Sequence, residues 1–359
     1  MRLRLRTLLW GAVLVVPFAC LGTAGESHPD KPTIRPASQG HPQPTYKIEA
    51  GIDGEIYPVF ANYASLMGQG ERTFGVVAVT ISNPGSSSLK ERVSVKVPGW
   101  SDEEIQMAEL SAGATRTLLF APSFLPRFYK NKEITAATVR VSVSNLAGNT
   151  LYQSTVPVRL RSAQDMYWGR NFKYAQFIAS WVTPHAPEVE AVLAQAKNYT
   201  PDRRLPGYEN WKNASDQEHE TYIEAKAIFT ALKKMGLSYV KSSSTLGGHT
   251  SVSERVRMPR VSLAQSSANC IDAAVTYASL FENLGMEPTV VIVPGHAYVG
   301  VRVAEGASEF LYIDAALTGR TTFETAVSSG KTGLARRDHD DITQVNIDQA
   351  RSAGIFPMP

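Results

Sequence analysis

Residues 267–314 leave the backbone few choices. An apolar stretch of helical period runs from Cys270 to Leu284 and ends at Gly285. Thr289-Val-Val-Ile-Val293 then reads as a strand, Pro294-Gly295 as a turn, residues 297–303 as a second strand and Phe310-Leu-Tyr-Ile313 as a third. If the last two strands form a simple antiparallel hairpin, setting His296 opposite Asp314 centres the turn on residue 305. That residue lies in Glu305-Gly306-Ala307-Ser308, the turn-like stretch available. Opposed residues have Cβ atoms about 4.5–5.5 Å apart, close enough for a carboxylate to hold an imidazole N–H.

The same stretch carries chemistry. Cysteine at a helix start, histidine at one strand start and aspartate at the next strand end have the residue types of nucleophile, base and orienting carboxylate in thiol acyl transfer. Cys270 at a helix N-terminus faces unpaired N–H groups and the positive end of the dipole, which favour thiolate. Asp272, in the same first turn, opposes this, so the His296 imidazolium is expected to outweigh it. A blander reading makes Cys270 a small buried hydrophobe, His296 a turn residue and Asp314 a strand-end cap.

Asn269-Cys270-Ile271-Asp272, the helix after it with Gly285, Pro294-Gly295-His296-Ala297 and Tyr312-Ile313-Asp314 together resemble the transglutaminase-like superfamily. The likeness runs from about Trp168 to the C-terminus and is greatest to exported bacterial members, with Gly236-Leu-Ser-Tyr-Val240 and Glu254-Arg-Val-Arg-Met-Pro259 upstream. The resemblance implies a papain-like core with Cys270 as nucleophile, His296 as general base and acid, and Asp314 as the orienting carboxylate. It also offers Gln265, upstream of the cysteine, as an oxyanion donor beside the Cys270 backbone N–H; the alternative for Gln265 is a polar loop residue. Ala268-Asn269 before the cysteine and Ile271 after it depart from the glycine and flanking aromatics of many animal members, which turns the expectation from crosslinking toward hydrolysis.

A chain of 359 residues with 43% apolar and 19% charged side chains can build two cores, and a net charge of +3 without a basic, aromatic-interleaved stripe points to no nucleic-acid partner. Arg2, Arg4 and Arg6 precede an apolar stretch at 8–21, and Gly22-Thr-Ala24 offers small residues for cleavage, so residues 1–24 read as an export signal. Cys20 raises a lipid anchor as an alternative, though Pro17-Phe18 suits that cleavage poorly, and an uncleaved N-terminal anchor is another. With Cys20 removed, Cys270 would be the one thiol of an exported chain, a liability unless buried or used. Residues 25–45, rich in Pro, Ser, Gly and His, read as a flexible tether, with His28 and His41 as linker residues rather than metal ligands.

Between residues 46 and 161 the period is two: Val93, Val95 and Val97, then Val139, Val141 and Val143, then Val156, Val158 and Leu160 alternate with polar neighbours. Turn clusters at 83–88, 98–99, 111–113 and 145–149 separate these runs, and no long helix is credible. The expectation is an antiparallel β-sandwich of immunoglobulin-like type before a papain-like, transglutaminase-like domain at 166–359, an α+β chain. The aromatic cluster Tyr167, Trp168, Phe172, Tyr174, Phe177 and Trp181 is a packed junction or a substrate shelf. Helices are expected after Pro187, with Val189, Val192, Leu193 and Ala196 inward, and over 216–235, with Tyr222, Ala225, Ile228, Phe229 and Leu232 inward and His219 and Glu220 facing solvent. His249, in the polar loop 242–251, is a candidate to reach the site, against the plainer reading of a surface loop. Residues 336–341 carry three aspartates and a histidine, weighed as a metal site but read as a solvated loop, and Asp348 is expected to cap a last short helix.

The function expected is cofactor-free, metal-free hydrolysis of an amide in a peptide, protein or cell-wall substrate, by an exported protein with a possible N-terminal membrane tether. The alternatives are a non-catalytic binding or scaffolding module of the same fold and a metal-dependent hydrolase at 338–341.

Overall fold

In the first part of the chain the valine alternation decides the structure. A computed structural model describes residues 42–209, 211, 213–241 and 253–359; the expected export signal at 1–24, the expected tether residues His28 and His41, Cys20 and the loop bearing His249 lie outside the described residues. Strands β1 (Thr45–Ala50), β2 (Glu55–Ile56), β3 (Val77–Ser82), β4 (Leu89–Lys96), β5 (Glu104–Leu110), β6 (Thr115–Phe120), β7 (Thr135–Ser144) and β8 (Thr150–Leu160) form two sheets. One has the order β1-β3-β6 and the other β2-β8-β7-β4-β5, antiparallel throughout except for β2 beside β8. Because side chains alternate across a strand, Val77, Val79 and Ile81 of the first sheet meet Val93, Val95, Val139, Val141 and Val143 of the second in one buried core. Each such side chain contributes roughly 1.5–3 kcal/mol by leaving water.

Helix α1 (Pro58–Ser65) was not expected. Its proline stands where a helix tolerates one, in the first turn. Val59 and Phe60 enter the core of the second part of the chain, whereas Ala61 and Ala64 enter the sheet core just described. Phe60 meets Phe177 edge-on with ring centres 4.9 Å apart, and Tyr63 meets the same ring at 5.0 Å. Trp168 and Trp181 are fully buried, so the aromatic cluster is a packed junction. The C-terminal tail closes over it, with Asn62 donating to the Pro357 carbonyl and Met358 N–H to Ser180. Residues 42–359 accordingly form one compact unit.

The second part mixes helix and sheet, so the chain is α+β. Short strands β9 (Asp165–Tyr167), β10 (Ser238–Tyr239), β11 (Ser253–Arg255) and β12 (Ser267–Ala268) pair as β9 with β11 and β10 with β12. β13 (Pro288–Val293), β14 (His296–Arg302), β15 (Phe310–Ile313) and β16 (Thr343–Asn346) form an antiparallel sheet of order β15-β14-β13-β16. The helices are α2 (Pro187–Ala196), α3 (Ala214–Lys234), α4 (Pro259–Ala264), α5 (Cys270–Asn283), α6 (Phe323–Ala335) and α7 (Ile347–Ser352). Every residue of α5 from Cys270 to Phe281 is buried, which explains its continuous apolar run. Val290, Ile292, Ala297, Val299 and Ile313 on one face of the sheet share its core, while Val291, Val293 and Tyr298 on the other pack with Tyr312 and with Leu334 of α6.

Three expectations are corrected here. On α3, Tyr222 is exposed and Glu220 is buried beside Thr221 and Glu224, the reverse of the solvent-facing role given to Glu220. The last helix is capped by Asn346, whose side chain accepts from Gln349 N–H, and Asp348 lies inside its first turn. The turn between β14 and β15 is centred on residue 306, because Val299 pairs with Ile313 and Val301 with Leu311.

Candidate active site

The register shift matters for the site. Continued past Val299 and Ile313, it sets Tyr298 opposite Asp314, and His296 lies two residues further along the same strand face. His296 and Asp314 are therefore diagonal neighbours rather than opposed ones, within reach of a long ring. His296 Nε2 meets Asp314 Oδ1 at 3.0 Å. Pro294-Gly295 supplies the turn that begins β14, since Gly295 has φ +77°, the conformation a two-residue Pro-Gly turn needs at its second position. The edge of the imidazole stands against the Tyr298 ring, with centres 4.6 Å apart.

Asp314 is itself held from α6. Ser329 Oγ donates to its Oδ2 at 2.9 Å, and its N–H donates to the Ala326 carbonyl at 3.0 Å. Both carboxylate oxygens thus have a partner although the residue is buried. Ser329→Ala would leave Oδ2 without a donor, and urea denaturation is expected to register a loss of about 1–2 kcal/mol; an unchanged midpoint would mean that the bond contributes nothing.

Cys270 is the first residue of α5. The helix start is fixed by a reciprocal pair: Asn269 Oδ1 accepts from Asp272 N–H at 2.8 Å, and Asp272 Oδ2 accepts from Asn269 N–H at 3.1 Å. The Cys270 thiol lies beside the His296 ring, near enough to add to the upward shift of the imidazole. Burial pushes that imidazole down, but the bonds to Asp314 and Cys270, and their charges, outweigh it and raise the ring from 6.5 to about 9. Cys270 is 7% exposed, and Tyr239 beside it is 40% exposed. Burial first, then the charges of Cys270, Glu254 and Asp272, push the Tyr239 hydroxyl upward, which marks its closeness to the thiol.

The structure thus brings together Cys270, His296 and Asp314. It does not bring Gln265 to them: that residue is exposed at the end of α4, and its carboxamide oxygen accepts from Arg257 at 3.2 Å. Among the described residues no bond joins Gln265 to the other three. Residues 338–341 form an exposed single turn after α6, and among the described residues no three His, Cys, Asp or Glu side chains are grouped to hold a metal. Three neighbours went unread in the sequence: Arg257, Ser329 and Tyr239. Tyr239 and Arg257 carried a signal, since each lies in one of the two upstream segments, 236–240 and 254–259, that stand out in the sequence, whereas Ser329 carried none. The sequence matches no family model and no curated protein.

Proposed function

We propose that this protein is a thiol-dependent amide hydrolase of the transglutaminase-like superfamily, with a papain-like core after an immunoglobulin-like sandwich. The observation that carries the reading is an imidazole beside the Cys270 thiol and hydrogen-bonded to a carboxylate that Ser329 fixes on its far side. A ring raised to about 9 holds a proton at neutral pH, which favours a thiolate next to it. The two sheets sharing one valine core and the sheet flanked by α5 and α6 support the two-part architecture.

In this reading the Cys270 thiolate attacks the amide carbon, and the carbonyl π electrons move to oxygen. Collapse expels the amine, which takes its proton from His296, and leaves an acyl thioester. Water then gives a proton back to His296 and its oxygen to the acyl carbon, releasing the acid and the thiolate. The oxyanion is met by the Cys270 N–H, one of the first-turn donors that a helix leaves without an internal partner. The substrate class is an amide of a peptide, protein or cell wall, and the basic, then apolar N-terminus supports export with a possible membrane tether. Intact-mass measurement after incubation with peptides and peptidoglycan fragments is expected to show an acyl adduct on Cys270 that Cys270→Ser lacks. Turnover surviving that substitution would overturn the reading.

The low exposure of Cys270 favours one other reading, a binding module that keeps the fold without turnover. It predicts a Cys270 no more reactive than an ordinary thiol.

A further inference from the structure

An acid two residues after the nucleophile should work against a thiolate, and the His296 charge was expected to bear that burden alone. The structure supplies a second cation. Asp272 is wholly buried, and besides Asn269 it accepts from the Arg257 backbone N–H at 2.7 Å and from Arg257 Nε at 2.8 Å. The guanidinium is fixed in turn, since its Nη1 donates to Ser267 Oγ at 3.0 Å and to Gln265 Oε1 at 3.2 Å. The segment leading into α5 is thereby wrapped around an ion pair lying at the turn that carries the sulfur.

We propose that Arg257 is a positioning residue for Cys270: by pairing with Asp272 it cancels the one negative charge on the first turn of α5, leaving the helix N-terminus and His296 to favour thiolate. This rests on the acyl-transfer reading above. It also assigns Gln265 a different task from the oxyanion role, that of orienting the guanidinium. A capping role alone would need only the Asn269 and Asp272 side chains, and the Arg257 side chain adds no bond to a helix N–H. The other ionisable groups around the sulfur are His296 and Tyr298 from β14 and Tyr239 from β10, with Asp314 behind the imidazole and Glu254 near Tyr239. None of these lies between Arg257 and Asp272, which are in direct contact.

The test is the pH profile of iodoacetamide alkylation in the full chain. Arg257→Gln leaves the acid uncompensated, and its profile is expected to move to higher pH by about one unit. Asp272→Asn leaves the cation, and its profile is expected to move to lower pH by a similar amount. The double variant should return to within a few tenths of the parent. Opposite displacements that cancel are the signature of charge; loss of a structural brace would move both single variants the same way. If Arg257→Gln does not fold because its carboxylate is buried unpaired, Asp272→Asn and the double variant carry the test, since neither retains that carboxylate. Profiles that coincide, or that move in one direction, while His296→Ala still abolishes the excess reactivity of the parent, would overturn the role of Arg257 and leave the acyl-transfer reading standing. A parent no more reactive than His296→Ala would remove both.

Discussion

His296→Ala is expected to slow iodoacetamide alkylation of Cys270 by about 10- to 30-fold at pH 5. At that pH a thiol in ordinary surroundings is ionised to only about 3 parts in 10⁴, and an adjacent imidazolium raises that fraction. The gain in thiolate is offset in part, because nucleophilicity falls with basicity by a Brønsted slope of about 0.4–0.5. The advantage has a pH window set by the ring. His296 carries its proton up to about 9, so the difference between parent and variant persists through neutral pH and closes as the ring discharges and an ordinary thiol ionises unaided. Stability follows the same sign. A histidine raised from 6.5 to about 9 adds stability that is complete below 6.5 and lost as pH rises through 9, so the gap in unfolding free energy between parent and His296→Ala should narrow across that interval. Equal and slow alkylation at pH 5 would favour the non-catalytic module.

Much of this site was legible because strands and turns announce themselves locally. The alternating valines of β14 and the run Phe310–Ile313 fall where period and turn residues put them. The turn centre lies one residue later and the pairing therefore two residues off, because Ala304 and Ala307 also belong to the turn, and Val303 N–H reaches Glu309 beyond the strand ends. Direct opposition was assumed where the fold uses a diagonal. The groups that support the triad were not legible, for a different reason: Arg257 lies 13 residues before Cys270 and Ser329 lies 15 after Asp314, and only tertiary packing sets them beside Asp272 and Asp314. Helix α1 escaped notice because both its faces are buried, each against a different core, so its apolar residues show no single stripe. Glu220 and Glu224 escaped because an acid at helical spacing usually marks a wet face, and here it marks an inward one.

Glu224→Gln is expected to stabilise the protein above neutral pH, and by more than any surface substitution would. Glu224 is fully buried in α3; its Oε1 accepts from Gly207 N–H at 2.9 Å, while Oε2 has no hydrogen-bond partner among the described residues. Burial is the main cause that raises this carboxyl from 4.5 to about 8, the Gly207 bond works against it, and Glu220 and Asp202 add to it. The folded chain therefore favours the neutral acid more than the unfolded chain does. Stability is complete below 4.5 and falls as pH rises toward 8, by about 3 kcal/mol in all once solvent relaxation is allowed for. Glutamine keeps an acceptor for Gly207 and cannot ionise, so the variant should match the parent near pH 4.5 and exceed it by about 3 kcal/mol at pH 9 in urea denaturation. The effect bears on the site through one contact. Gly207 has φ +61°, and a Cβ there would stand 2.2 Å from the Leu284 carbonyl at the end of α5, so Glu224 steadies the loop on which the far end of the cysteine helix rests. Parallel stability profiles for parent and variant from pH 5 to 9 would show that this acid ionises without cost, and that the loop answers to other contacts.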